Sequence, residues 1–240
     1  MAETLFISDL HLDASRPAIN DLFIRFLEGD AAGCEALYIL GDLFEYWLGD
    51  DAPTPGLEGV IDSLRDLTLG GIPVYFLHGN RDFLIGKTFA RHTGIRLLRG
   101  KNVVDLYGTP TLIMHGDTLC TDDSRYQIYR SIVQSNWFRS LFGSLGLNAR
   151  MRLAGFMRNT SNKEVDRKPA AIMDVNQAAV LSSMRHNDVH RLIHGHTHRP
   201  FVHRFELDGR PAERIVLGDW YEQGSVLRCR PDGCDLGSIS

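Results

Sequence analysis

What the chain lacks narrows what it can be. No run of 18 apolar residues occurs among its 240 positions, so no membrane-crossing helix is expected. Cysteine is scarce, with four residues at 34, 120, 229 and 234 and no Cys-x-x-Cys pair of the kind that holds zinc. Cys229 and Cys234 flank the turn signal Arg230-Pro231-Asp232-Gly233, so they can face each other across a hairpin. A disulfide and two thiols are both open there, and a reducing cytosol favours the thiols. Neither sign of charge dominates. The 26 Lys and Arg against 30 Asp and Glu give −4, which implies no whole-molecule attraction to nucleic acid. The N-terminus enters an apolar strand at once, without the basic stretch and long apolar core of a signal peptide, so the expected location is cytoplasmic. The length fits one domain, or one domain carrying an insertion, and is enough to bury a sizeable core.

One absence is local. Between Ser124 and Lys163 there is no Asp or Glu, while Arg125, Arg130, Arg139, Arg150, Arg152, Arg158 and Lys163 supply seven positive charges. The other 200 residues therefore carry −11. Some fifteen apolar side chains are interleaved with these cations, among them Tyr126, Ile128, Ile132, Trp137, Phe142 and Met151. The segment reads as a pair of helices broken at Gly143 to Gly146, a basic and apolar helical insertion at about 122–168 in a domain that otherwise spans 1–240.

What is present is a series of five short stretches, each where a strand should end: Asp9-Leu10-His11, Gly41-Asp42, Gly79-Asn80-Arg81-Asp82, His115-Gly116-Asp117 and Gly195-His196-Thr197-His198. The apolar runs Phe6-Ile7, Leu37-Tyr38-Ile39-Leu40, Val74-Tyr75-Phe76-Leu77, Leu112-Ile113-Met114 and Leu192-Ile193 lead into them. Each stretch alone is weak, because a His after a strand is commonly a turn or cap residue. Their joint order is the signal. Asp offers oxygen and His nitrogen, and α/β sheets place ligands at strand ends. Two cations about 3.5–4 Å apart, one Asp between them, can clamp a phosphoryl group.

The rest of the chain punctuates cleanly. Strand one is expected at 4–9, a helix from Pro17 to Gly29, a strand at 36–40, a helix at 56–69 and a strand at 73–77. A short helix at 84–93 and a strand over Ile95 to Leu98 follow. Residues 102–107 and 111–114 read as a hairpin about Gly108-Thr109-Pro110. A helix is expected from about Pro169 to Met184, then short strands at 190–194, 201–207, 213–218 and 225–229. The alternation early in the chain implies parallel strands, and the later part reads as mostly antiparallel.

The order Asp-x-His, Gly-Asp, Gly-Asn-x-Asp, His-Gly-Asp, Gly-His-x-His resembles that of the calcineurin-like metallophosphoesterases, over residues 5 to 200. The resemblance implies an α/β fold, the α/β/β/α sandwich of that family, with the helical insertion as a lid. Further features are similar to the branch that acts on UDP-2,3-diacylglucosamine in lipid A biosynthesis. They are Gly41 to Asp51, Gly79 to Phe83 with Arg81 where most relatives have His, Ile172 to Gln177, and His194 to Pro200. That branch cuts the pyrophosphate, releasing UMP and 2,3-diacylglucosamine 1-phosphate. The resemblance further implies two Mn²⁺ ions per chain. Asp9, His11 and His198 would hold the first, Asn80, His115 and His196 the second, and Asp42 would bridge. Ligand type alone leaves zinc and iron open. Asn80, Arg81 and His196 are the implied catalytic residues. Substrate contacts are expected at Asn80, Arg81, Asp123, Tyr126, Ser161, Lys168 and His196.

Arg81 carries a chemical argument of its own. Arg stays charged and cannot act as an ordinary general acid. A phosphate leaving group needs little protonation, since its second pKa is about 6. Arg81 therefore suits a pyrophosphate, whose oxygens it can pair. Asp82 and Asp117 either orient Asn80 and His115 or merely bond their own turns. His194 belongs either to the sheet interior or to the edge of the site, whereas His78 and His92 read as structural. The insertion also has two readings. Its apolar residues bury acyl chains while Arg139, Arg150 and Arg152 face outward to anionic inner-leaflet lipid, making the protein peripheral to the inner membrane. Or they simply pack the segment onto the domain. The competing functions are a metallophosphoesterase for another nucleotide or phosphodiester, and a metal-stabilised scaffold that binds partners through the insertion.

Overall fold

The computed structural model describes residues 2–155 and 174–239. Its centre is a pair of sheets. The first has six strands, β1 (Thr4–Ile7), β2 (Ala36–Ile39), β3 (Val74–Leu77), β4 (Arg96–Leu98), β10 (Gly224–Arg230) and β11 (Gly233–Ile239), ordered β11-β10-β1-β2-β3-β4. The second has five, β5 (Asn102–Leu106), β6 (Thr109–Ile113), β7 (Arg191–His194), β8 (Phe201–Leu207) and β9 (Arg210–Val216), ordered β5-β6-β7-β9-β8. Strand alternation decides what each sheet buries. From β1, Leu5 and Ile7 point outward under α1 (Pro17–Glu28), α2 (Glu58–Leu69) and α3 (Lys87–Thr93), while Phe6 points inward. From β6 and β7, Ile113 and Ile193 join Phe6 in the layer between the sheets, and Leu112 and Leu192 pack under α7 (Gln177–His186) with Val180 and Met184. Helix, sheet, sheet, helix is the expected sandwich.

Local chemistry explains the elements. Pro17 opens α1 where its missing N–H costs nothing, and Ile19, Leu22, Phe23, Phe26 and Leu27 form its buried face. Phe23 and Phe26 meet Trp220 edge-on at 5.8 and 5.6 Å. Asp50 supplies the start of α3, accepting from the Gly86, Thr88 and Phe89 N–H groups at 2.9, 3.0 and 2.9 Å.

Several expectations need correction. Thr109 and Pro110 lie within β6, so the hairpin turns at Tyr107 and Gly108 alone, both at positive φ. β7 pairs in parallel with both β6 and β9, so the second sheet is mixed; the antiparallel pairings are β5–β6 and β8–β9. β11 was not foreseen. It is an edge strand with few apolar residues, and polar edge strands carry little periodic signal. Cys229 and Cys234 stand opposite each other across β10 and β11, Cα atoms 4.1 Å apart, and are joined as a disulfide, not left as thiols. α7 begins at Gln177, capped by Asn176, whose side chain accepts from the Ala179 N–H at 3.1 Å. The expected helical residues 169–173 lie outside the described residues.

The basic segment holds three described helices in place of two: α4 (Ser124–Val133), α5 (Asn136–Ser144) and helical backbone over 147–155, here α6. Ser135 breaks α4 from α5 by capping the latter, accepting from the Phe138 N–H.

Candidate metal centre

All five ligand stretches sit just beyond strands β1, β2, β3, β6 and β7. Backbone hydrogen bonds stitch the loops together: Asp9 N–H to the Gly41 carbonyl at 3.1 Å, His11 N–H to Asp42 at 3.0 Å, and Gly195 N–H to His115 at 2.8 Å. The close approach needs glycine. A Cβ on Gly79 would lie 2.0 Å from Asp42 Oδ1, and one on Gly195 would lie 2.2 Å from Ser8 Oγ. Eight described non-glycine residues have positive φ, and five are Asp9, His11, Asp42, His196 and His198. Left-handed backbone is unfavourable for such residues. Its concentration here means the surrounding fold holds these side chains in place against local preference.

The donors converge. One atom each from Asp9, His11 and His198 lies within 4.8 Å of the others, and so it is for Asp9, Asp42 and His115. His11 Nε2 is 3.4 Å from His198 Nε2, which is 3.4 Å from Asp9 Oδ1. Asp9 Oδ2 is occupied by Ser8 Oγ at 2.6 Å and by the His196 N–H at 2.8 Å. Its Oδ1 is buried without a hydrogen-bond partner. Asp42 divides in the same way. Oδ1 accepts from the Arg81 N–H at 2.8 Å, and Oδ2 faces His115 Nε2 at 3.7 Å and His11 Nε2 at 4.0 Å. Asn80 Oδ1 lies 3.0 Å from His115 Nε2, and the His196 ring is 4.9 Å from that of His115. The seven expected ligands are therefore in one place, with Asp42 Oδ2 between the two histidine groups.

Charge at the site calls for a cation. Burial drives the Asp9 carboxyl up, but His198, His115 and His11 more than offset it and hold it well below the usual range. Burial lowers His115, yet Asp42, Asp9 and Asp117 bring it up to about 9. Burial likewise opposes His198, and Asp219 and Asp9 raise it to about 10. Burial, reinforced by His115, pushes His196 down to about 4. Imidazolium protons thus occupy the place of a metal's charge. The orphaned Asp9 oxygen, the shared Asp42 oxygen and the thiol-free N/O donor set fit divalent metal ions.

Supporting groups were partly missed by sequence reasoning. His115 Nδ1–H donates to the Leu40 carbonyl at 2.8 Å, which leaves Nε2 for the site. His198 Nδ1 is 3.2 Å from Asp219, and His11 Nδ1 is 3.0 Å from Glu45. Asp219 follows Leu217-Gly218 at the end of β9, repeating the pattern of Leu40-Gly41-Asp42, so the strand-end rule could have found it. No hydrogen bond described for Asp82 reaches the Asn80 side chain. Asp82 accepts from the Leu43 and Gly79 N–H groups at 2.7 and 2.9 Å, joining two ligand loops, and burial with nearby Asp42 raises it to about 7. Asp117 pairs with Arg130 Nε and fastens α4 beside the His115 loop. His194 is wholly buried in β7, its Nδ1–H donating to the Gly195 carbonyl, and burial takes it down to about 3. His78 donates to the Ile85 carbonyl at 2.7 Å, a structural role.

Beside the ligands a cavity of about 310 Å³ opens under α4, α5 and α6. Asn80, Arg81 and Glu45 form its polar end, and Tyr129, Val133, Phe142 and Met151 its apolar walls. Tyr126 also lines it, stacks on His196 at 5.8 Å, and has a buried hydroxyl without a partner. Asp123 caps α4 through the Tyr126 N–H at 3.1 Å and is not in the cavity wall. Ser161 and Lys168 lie outside the described residues.

The arginines of the segment depart from expectation. Arg150 is 5% exposed, binding Asp51 with both terminal nitrogens and the Leu48 carbonyl at 2.7 Å. Arg139 donates to the Phe83 carbonyl at 2.5 Å. Of the three expected to face outward, Arg152 alone is exposed. The segment also exposes apolar side chains, Ile128 at 62% and Trp137 at 61% exposure, with Ile132 and Leu141, alongside Arg125 and Arg152.

Fold and site together define a phosphoesterase of the metal-dependent kind. Residues 3–200 match the family model for calcineurin-like phosphoesterases, and the chain belongs to that family. Within it the chain is 53% identical, over 228 residues that cover 95% of each protein, to the UDP-2,3-diacylglucosamine hydrolase of Aeromonas hydrophila. It is 51% identical to the protein of that name from Escherichia coli over 233 residues, 97% of each. Identity to the Photobacterium profundum UDP-2,3-diacylglucosamine hydrolase is 50%, covering 97% of this chain and 95% of its relative.

Proposed function

We propose that the chain hydrolyses the pyrophosphate of UDP-2,3-diacylglucosamine to UMP and 2,3-diacylglucosamine 1-phosphate. The observation that carries this reading is the union of a clustered ligand set with an apolar cavity that Arg81 borders. The names of relatives sharing half the sequence support the substrate. A soluble nucleotide or phosphoprotein gives no use for the apolar walls, and a scaffold has no need of seven occupied ligand positions.

Divalent ions bound here, two Mn²⁺ in this reading, would supply Lewis acidity and a water of lowered pKa. Asp9, His11 and His198, and Asn80, His115 and His196, with Asp42 between the two groups, are the residues that would hold them. Arg81 remains charged and pairs the oxygens of the departing phosphate. Asn80, His196 and Tyr126 are placed to contact the sugar phosphate in this reading, and Ser161 and Lys168 remain contacts expected from the sequence, whereas Asp123 caps α4 away from the cavity wall. The cavity takes acyl chains, at about 25 cal/mol per Å² of apolar surface buried.

Among the described residues no helix is long and apolar enough to cross a membrane. The exposed apolar face of α4 and α5 supports peripheral docking on anionic inner-leaflet lipid. The deciding experiment is incubation with UDP-2,3-diacylglucosamine and Mn²⁺, followed by detection of UMP. UMP release that chelation abolishes is expected; its absence overturns the substrate assignment.

A further inference from the structure

Glu45 stands between His11 and Arg81. Its backbone is fixed, the N–H donating to the Leu12 carbonyl at 3.1 Å, one residue beyond His11. Its carboxylate is 14% exposed. Oε2 lies 3.0 Å from His11 Nδ1, close to it though not aligned as a hydrogen bond. Oε1 lies 3.9 Å from Arg81 NH1. The other ring nitrogen of His11, Nε2, faces His198 and Asp42.

A histidine that gives Nε2 to a cation must carry its proton on Nδ1, and a carboxylate on that side holds the tautomer and strengthens the donor. A guanidinium near a cation is repelled unless an anion lies between them. Glu45 meets both needs with one side chain. Asp219 backs His198 in the same manner, yet no ion pair or hydrogen bond described for it reaches a substrate-binding group.

We propose that Glu45 is a positioning residue that couples His11 to Arg81, so that the ligand shell and the leaving-group cation are set by the same carboxylate. The Arg81 half rests on the pyrophosphatase reading above; the His11 half does not.

The test has two arms. In the first, Mn²⁺ alone is titrated into the metal-stripped full chain by calorimetry. Glu45→Gln, which keeps volume and removes charge, is expected to weaken binding about 10-fold or more, and Glu45→Ala up to about 100-fold. Affinity within about twofold of the parent for both variants, at unchanged secondary structure, overturns the His11 half. In the second, kcat/KM is measured on the pyrophosphate substrate and on a small activated phosphodiester, for Glu45→Gln with and without Arg81→Ala. The ratio of the two is expected to fall in Glu45→Gln and to fall no further once Arg81 is gone. An equal fall in both backgrounds, or none in either, overturns the Arg81 half. Failure of the parent to release UMP refutes the pyrophosphatase reading and leaves the Mn²⁺ titration standing.

Discussion

Asp42 has one oxygen tied and one loose. Because Oδ1 is held by the Arg81 N–H, Oδ2 alone is presented, and to both histidine groups. Asp42→Asn should therefore abolish hydrolysis more completely than His198→Ala, which touches one group only; the comparison is of kcat/KM at saturating Mn²⁺. Arg81 makes a separate claim. Arg81→Ala should cost about 2 kcal/mol or more of transition-state stabilisation on the pyrophosphate and much less on a small activated phosphodiester. Equal losses would mean that Arg81 does not act on the leaving phosphate. The convergence of the candidate ligands was legible in the sequence because each follows an apolar run, so residue type and strand end coincide. Glu45 was not, since it lies three residues past Asp42 in a turn whose path nothing local announces. The second oxygens of Asp9 and Asp42 were likewise invisible: which atom is bound by backbone depends on loops that meet only in space.

At the scale of elements, the first hundred residues read well. Pro17, the glycines after helices and four short apolar runs are strong local punctuation. The basic segment read less well. Its charges were visible, but their direction was set by carbonyls at Leu48 and Phe83 and by Asp51, which belong to a different part of the chain. Arg150 fastens α6 to the 48–51 loop while seated near the surface. Arg150→Ala should raise proteolytic cleavage within 134–155 several-fold while leaving the main melting transition nearly unmoved, because the cores under α1 and α7 do not touch it. Unchanged cleavage would show that the apolar wall alone holds the segment. Lipid docking must likewise be tested on the face that is outside. Trp137→Ser with Leu141→Ser should weaken sedimentation with anionic vesicles, and Arg125→Glu with Arg152→Glu should remove the salt-sensitive part. A parent chain that ignores such vesicles at low salt would exclude docking while leaving the acyl cavity intact.

On the scale of the whole molecule, the ligand set is divided between the sheets. Asp9, Asp42 and Asn80 follow strands of the six-stranded sheet, and His115, His196 and His198 follow strands of the five-stranded one. The sequence showed two halves of different style, and the family resemblance implied the two-layered sandwich in which they close face to face. Which side of each short strand faces the other sheet was not legible, because short buried strands are apolar on both faces.

The division would make bound cations a rivet. Without them, the carboxyl ends of the two sheets are joined by protonated histidines against carboxylates and by loops held at left-handed φ. Ions held by the proposed ligand set would bind the same atoms across the seam. The metal's binding energy then becomes cohesion between halves of the molecule, growing as RT ln(1 + [M]/Kd). Amide hydrogen exchange is the readout. On chelation, protection should fall together at the carboxyl ends of β1, β2, β6 and β7, while α1 and α2 on the outer face of the six-stranded sheet keep theirs. Loss confined to one sheet would mean the cations are held by a single half and the seam is closed by the apolar layer alone.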